Sequence, residues 1–195
     1  MAEARGEWRG EVTPALDPAE VLFLDETWAR TNMSPARGYA PEGERLVEAV
    51  PFRRWATLTF VGALGAGGLV ARRVLDGPVN GAKFLAYVRE VLVPALRPGV
   101  TVVLDNLRSH KVAGVREAVE GAGCRLRYLP PYSPDLNPIG MAFSKLKGLL
   151  RRAAERTAEG LRAAIERLAG EVTPEDAQAY IRHAGYTATP DRSLL

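Results

Sequence analysis

Two short runs, Val21 to Asp25 (VLFLD) and Val100 to Asp105 (VTVVLD), constrain this chain most: each is almost wholly apolar and each stops at an aspartate. Such a run without polar alternation predicts a central strand, buried on both faces by helices. An ionised carboxylate at the end of such a strand is costly unless something compensates it. An aspartate there either caps a turn or supplies hard oxygen to a cation that bridges a phosphate, as Mg²⁺ does.

The rest of the chain supplies a sheet and its covering layers. Trp55 to Leu64 and Gly68 to Leu75 are β-rich and flank Gly65-Ala66-Gly67, which predicts a hairpin closed by Asp76-Gly77-Pro78. Asn80 is placed to cap a helix reaching about Val93, with Phe84, Leu85, Val88, Val91 and Leu92 on one face and Pro94 and Pro98 marking its end. Val112 to Ala122 reads as a helix and Arg125 to Leu129 as a strand with one wet face. Pro130-Pro131-Tyr132-Ser133-Pro134 then imposes extended or turn backbone before a helix from Pro138 to about Ala154, followed by helices near 158–169 and 174–183. The order β, ββ, α, β, α, β, α describes an α/β mixed sheet with helices on both faces, in which both aspartates meet at one edge. Residues 1 to 20 read as a lead-in or linker remnant, 21 to 186 as the domain and 187 to 195 as a tail. Residues 26 to 54 read as an excursion, with Trp28 and Trp55 at its ends as packing residues.

Composition excludes several classes. At 195 residues, 47% hydrophobic and 25% charged, the chain suits one globular domain. No apolar run approaches the roughly 18 residues of a membrane helix, so no membrane partner and a cytoplasmic, nucleoid-associated location are expected. One cysteine and two histidines exclude a disulfide framework and a Cys/His zinc site. The basic residues are 22 Arg and four Lys, and Arg forks match phosphate geometry. Free coding of Arg and Ala by a GC-rich genome accounts for that bias equally well.

Three motifs in order carry more: FLDETW at 23 to 28, VLDNLRSH at 103 to 110 and LPPYSPDLNPI at 129 to 139, with GERL, NGAKF and HAGY between and beyond them. Together they resemble the mariner-type DDE transposase superfamily, in its bacterial insertion-sequence branch, over about Val21 to Tyr186. The resemblance implies a ribonuclease-H-like fold. It also implies three acids that bind two divalent ions, Mg²⁺ or Mn²⁺, hydrolyse a phosphodiester at the transposon end and transfer the freed 3′-hydroxyl into target DNA. Carried over, Asp25 is the first acid and Asp105 the second. The third follows after 34 intervening residues, at Gly140.

Glycine has no side chain to ligate a metal. With Asn137 as N-cap and Pro138 as the first helical residue, a glutamate at position 140 would also suit the helix dipole and a capping contact, whereas Gly costs ~1 kcal/mol relative to Ala. The expectation is an altered enzyme with weakened metal binding, or a catalytically dead DNA-binding and dimerising remnant. Asp135 is close enough in sequence to substitute as a metal ligand, while Glu26 points to the opposite face of its strand.

DNA contacts are expected from Asn106, His110 and Lys111, which could equally form an ordinary polar loop, and from Lys145, Lys147, Arg151 and Arg152 on the helix after Gly140. The resemblance further implies a homodimer on DNA. Its members carry helix-turn-helix modules ahead of the catalytic domain, so a separately encoded recognition half, or a fragment, is expected here.

Overall fold

The computed structural model describes residues 2–35, 37–47, 49 and 54–187. Its centre is a five-stranded sheet of order β3-β2-β1-β4-β5. The strands are β1 (Val21–Arg30), β2 (Thr57–Gly65), β3 (Gly68–Asp76), β4 (Thr101–Leu104) and β5 (Arg125–Tyr128). β1 pairs antiparallel with β2, and β2 with β3; β1 pairs parallel with β4, and β4 with β5. The β2–β3 hairpin closes as expected, and Gly68 (φ +110°) is fixed there because a Cβ would lie 2.8 Å from the Val172 carbonyl oxygen.

β1 is twice as long as its apolar run suggested. Glu26 to Arg30 pair with Val61 to Thr57 of β2, so the strand continues past Asp25 and the excursion begins only at Thr31. The parallel partner β4 stops level with Leu24. Asp25 therefore sits where one edge of β1 is released from pairing.

Strand alternation sorts the core into two layers. Phe23, Phe60 and Val103 face one cluster, and Leu24, Val61, Val102 and Leu104 face the other. The second layer is built by α2 (Gly81–Tyr87), the helical turns that continue it through 88–92 and α3 (Val93–Ala95), and then by α4 (Val115–Gly121). Asn80 caps α2 by accepting from Lys83 N. The first layer holds α5 (Ile139–Ala153), α6 (Ala158–Leu168) and α7 (Pro174–His183).

The N-terminal residues are part of this first layer, contrary to the lead-in expected. α1 (Ala2–Glu7), the turns that follow to Ala15 and the extended residue after them bring Trp8, Val12 and Leu16 onto the core at a spacing of four. Trp8 is 5% exposed, and its Nε1 donates to the Tyr186 hydroxyl at 3.0 Å. That hydroxyl donates to the Leu136 carbonyl at 2.8 Å, and the Tyr186 ring packs on Phe23 at 4.6 Å between centroids. Two residues from opposite ends of the chain thus brace the segment ahead of α5. Of the expected tail, 188–195 lie outside the described residues, as do several positions of the excursion.

Candidate functional site

The parallel register that pairs Leu24 with Leu104 puts Asp25 and Asp105 side by side, one residue further along. Both line one open cleft of about 470 Å³, whose other walls are Asn106, the Pro-rich loop from Leu129 to Pro134, Asn137 and Gly140. The sequence motifs converge because strand ends, loop and helix start share that edge of the sheet.

Each carboxylate is held differently. Asp25 Oδ1 accepts from the Glu26 backbone N–H at 2.8 Å, and its Oδ2 from Asn137 Nδ2 at 3.1 Å. Burial pushes the Asp25 carboxyl up to about 7, overcoming the Glu26 N–H and reinforced by the negative charges of Asp105 and Glu26. Asp105 Oδ1 accepts from Leu107 N at 3.1 Å and meets His110 Nδ1 at 2.5 Å.

His110 is fully buried, stacked at 4.3 Å on Phe84, with Nε2 2.7 Å from Glu26 Oε2. Burial opposes charge on its ring, but the hydrogen bonds and charges of Asp105 and Glu26 outweigh it and push it up to about 9. His110 is therefore not a phosphate contact: it has no surface to offer one. It is a strut linking the second aspartate to the far face of β1, and Glu26, on that opposite face as its alternation requires, is the other end of the strut.

Gly140 stands exposed at the second position of α5, not the third, because the helix starts at Ile139 with Pro138 in the cap position. Nothing lies within 4 Å of a Cβ built on Gly140, so there is open space for a side chain. The Asn137 side chain does not cap the helix. It is 7% exposed; its amide nitrogen goes to Asp25, and its Oδ1 finds no donor among the described residues.

Asp135, the candidate substitute ligand, does not line the cleft of Asp25 and Asp105. Arg5 grips it with both guanidinium nitrogens at 2.9 and 2.8 Å, and Arg9 adds a contact at 2.7 Å. The Arg5 hydrogen bond holds its carboxyl below the usual range. It lines a neighbouring cleft with Arg9, Thr13, Ser144 and His183, which shares Gly140 and Asn137 with the first.

The remaining candidates spread along two surfaces. Asn106 is at the cleft, its Nδ2 donating to the Leu129 carbonyl at 3.2 Å. Lys111 is exposed, 5.2 Å over the Tyr128 ring. Lys145 is paired with Asp176 at 2.5 Å, so its charge is already matched. Lys147 lies 4.3 Å over the Trp28 ring, with Arg30 at 4.5 Å from the same ring. Arg151 and Arg152 are exposed, roughly 17 Å along α5 from Gly140 at 1.5 Å per residue. Trp28 and Trp55 are 48% and 43% exposed, surface residues and not the packing residues expected. Their strand and flank leave the sheet at its rim, and the aromatic signal in the sequence could not distinguish rim from core. Tyr132, in the left-handed region at φ 55°, is 85% exposed in the loop lining the cleft.

A divalent cation would meet two carboxylates, and among the described residues no group of three or more His, Cys, Asp or Glu side chains could hold a metal. The donors present still fit a hard cation: oxygen ligands on rigid backbone, including the half-buried Asp25 carboxylate, which desolvation and the neighbouring negative charges leave poorly compensated.

Comparison with known proteins bears on the fold and the family. The fold matches the crystal structure of the Mos1 strand transfer complex (TM-score 0.72, 20% identity, 93% of this chain and 57% of that one). It also matches the Mos1 mariner paired end complexes with Mn (0.68, 18%, 93% and 57%) and with Mg (0.69, 19%, 93% and 56%). The chain spans somewhat more than half the length of these chains. No curated protein matches it. The mixed sheet is thus the ribonuclease-H-like fold. A family model described as "DDE superfamily endonuclease" matches residues 20–162, the stretch that holds both aspartates and Gly140, and the chain belongs to that family.

Proposed function

We propose that this chain is the catalytic domain of a DNA transposase of the bacterial insertion-sequence branch, acting on phosphodiesters at transposon ends and joining the freed 3′-hydroxyl to target DNA. The observation that carries it is the side-by-side placement of Asp25 and Asp105 in an open cleft. Mg²⁺ or Mn²⁺, two ions in the intact family, would stabilise charge on the attacking and leaving oxygens when bound by these carboxylates. The Mn and Mg complexes of the mariner relative support the same ions here.

The chain's own residues perform the positioning. The His110 strut fixes Asp105, the Glu26 N–H fixes Asp25, and the braced Pro-rich loop presents Tyr132 to an incoming strand, where its ring suits stacking on a base. Lys147, Arg151 and Arg152 extend a basic surface along α5 for backbone phosphates. Gly140 leaves the site with one carboxylate fewer than its family plan, so turnover is impaired. A homodimer on DNA and a separately encoded helix-turn-helix half complete the proposal, together with action at the nucleoid in the cytoplasm. Among the described residues no helix is long and apolar enough to cross a membrane.

The test is Mn²⁺- or Mg²⁺-dependent nicking of supercoiled plasmid by the unmodified chain, Gly140→Glu, and Gly140→Glu with Asp25→Asn. Gly140→Glu is expected to nick at least about tenfold faster, as restoring a metal ligand should, and Asp25→Asn to abolish the gain. Equal rates in Gly140→Glu and the unmodified chain would remove position 140 from the account. Salt-sensitive binding without nicking in any variant would favour the second reading, a DNA-binding remnant, for which the exposed Gly140 is the specific support.

A further inference from the structure

Asn137 holds the unexplained polar atom of the cleft. Its amide nitrogen bonds Asp25 Oδ2, while its Oδ1 is buried without a donor among the described residues, which leaves its desolvation uncompensated. Without a cation this is the orientation expected, since two oxygens facing each other at that separation would repel. Turning the amide about its last bond exchanges its ends within nearly the same volume. Either orientation leaves one end unpaired, so the turn forfeits only the hydrogen bond to Asp25.

That bond spans 3.1 Å. Two oxygens on adjacent corners of an octahedron around Mg²⁺ are about 3 Å apart, given bond lengths of about 2.1 Å. The pair already has the separation that a shared cation requires. We infer that Asn137 is a metal ligand of this chain: with a divalent cation present its side-chain oxygen turns to Asp25 Oδ2 and supplies the third protein oxygen that Gly140 does not. This inference rests on the reading of Asp25 and Asp105 as a cation site. An amide oxygen is neutral, so the two carboxylates and Asn137 balance one dication, and the expected stoichiometry is one ion per chain.

The experiment is Mn²⁺ binding by calorimetry, with electron spin-echo spectroscopy on protein carrying ¹³Cγ-labelled asparagine. The unmodified chain is expected to bind one Mn²⁺, to lose it in Asp25→Asn, and to bind about tenfold or more weakly in Asn137→Leu. The Mn²⁺ signal should show a ¹³C coupling that Asn137→Leu removes and Asn106→Leu retains. If Asn137→Leu does not fold, the coupling in Asn106→Leu decides: its presence supports Asn137, and its loss assigns the ligand to Asn106 and overturns the inference. Unchanged affinity in Asn137→Leu, with dependence on Asp25 intact and no coupling, overturns Asn137 while the cation site stands. Binding by Gly140→Glu but not by the unmodified chain likewise overturns Asn137 alone. No binding by either removes the inference and the functional reading beneath it.

Discussion

Replacing His110 with glutamine tests whether a buried, charged imidazole ties the two faces of the sheet together. In the folded chain His110 sits between Asp105 and Glu26, and its pKa moves from 6.5 to about 9. A group whose pKa is raised by folding stabilises the fold fully below its unfolded value and loses that contribution as pH rises through its folded value. The His110 contribution is therefore complete below 6.5 and gone above about 9. At 1.36 kcal/mol per unit, it amounts to about 3 kcal/mol, a large part of a typical domain's stability. Asp25, raised from 3.8 to about 7, has its effect at lower pH, so the range above neutrality belongs mainly to His110. Urea unfolding in EDTA, followed by tryptophan fluorescence across this range, should show the unmodified chain weakening as pH rises. His110→Gln should be less stable at neutral pH and nearly flat above it. Parallel pH profiles for the two proteins would refute a charged strut.

Trp8→Ala should destabilise by about 3 kcal/mol or more, measured by the same unfolding, because it opens a cavity and strips the Tyr186 hydroxyl of its donor. A negligible loss would return the N-terminal residues to the status of a lead-in. Gly140→Ala should raise the thermal midpoint, by up to about 1 kcal/mol of helix propensity, since the added methyl group meets nothing. Arg151→Ala and Arg152→Ala should each shallow the salt dependence of plasmid binding by about one unit of log–log slope, if each contacts a phosphate. An unchanged slope would remove the far end of α5 from the DNA surface.

How much was legible in the sequence depended on the range of the interactions involved. VLFLD and VTVVLD announced the central strands because complete burial leaves no alternation, and the hairpin and the Asn80 cap depend on local rules that near neighbours satisfy. The extension of β1 to Arg30 was hidden because those residues are stabilised by β2, some thirty positions away. The role of Trp8 was hidden because its partner is Tyr186, although Trp8, Val12 and Leu16 at a spacing of four were a usable signal. In the site, the adjacency of Asp25 and Asp105 followed from two strands expected to be parallel. The burial of His110 and the capture of Asp135 by Arg5 did not, since charge pairing across the fold leaves no periodic trace. Asn137 was read as a cap because asparagine before proline favours that role, but the fold directs its amide to Asp25.

The most direct measurement is an anomalous-scattering map from a crystal soaked in Mn²⁺. The account predicts a peak within bonding distance of a carboxylate oxygen from both Asp25 and Asp105, absent in Asp25→Asn crystals. A map without density there, under conditions that saturate Gly140→Glu, would contradict the claim that these two aspartates anchor a cation in the unmodified chain.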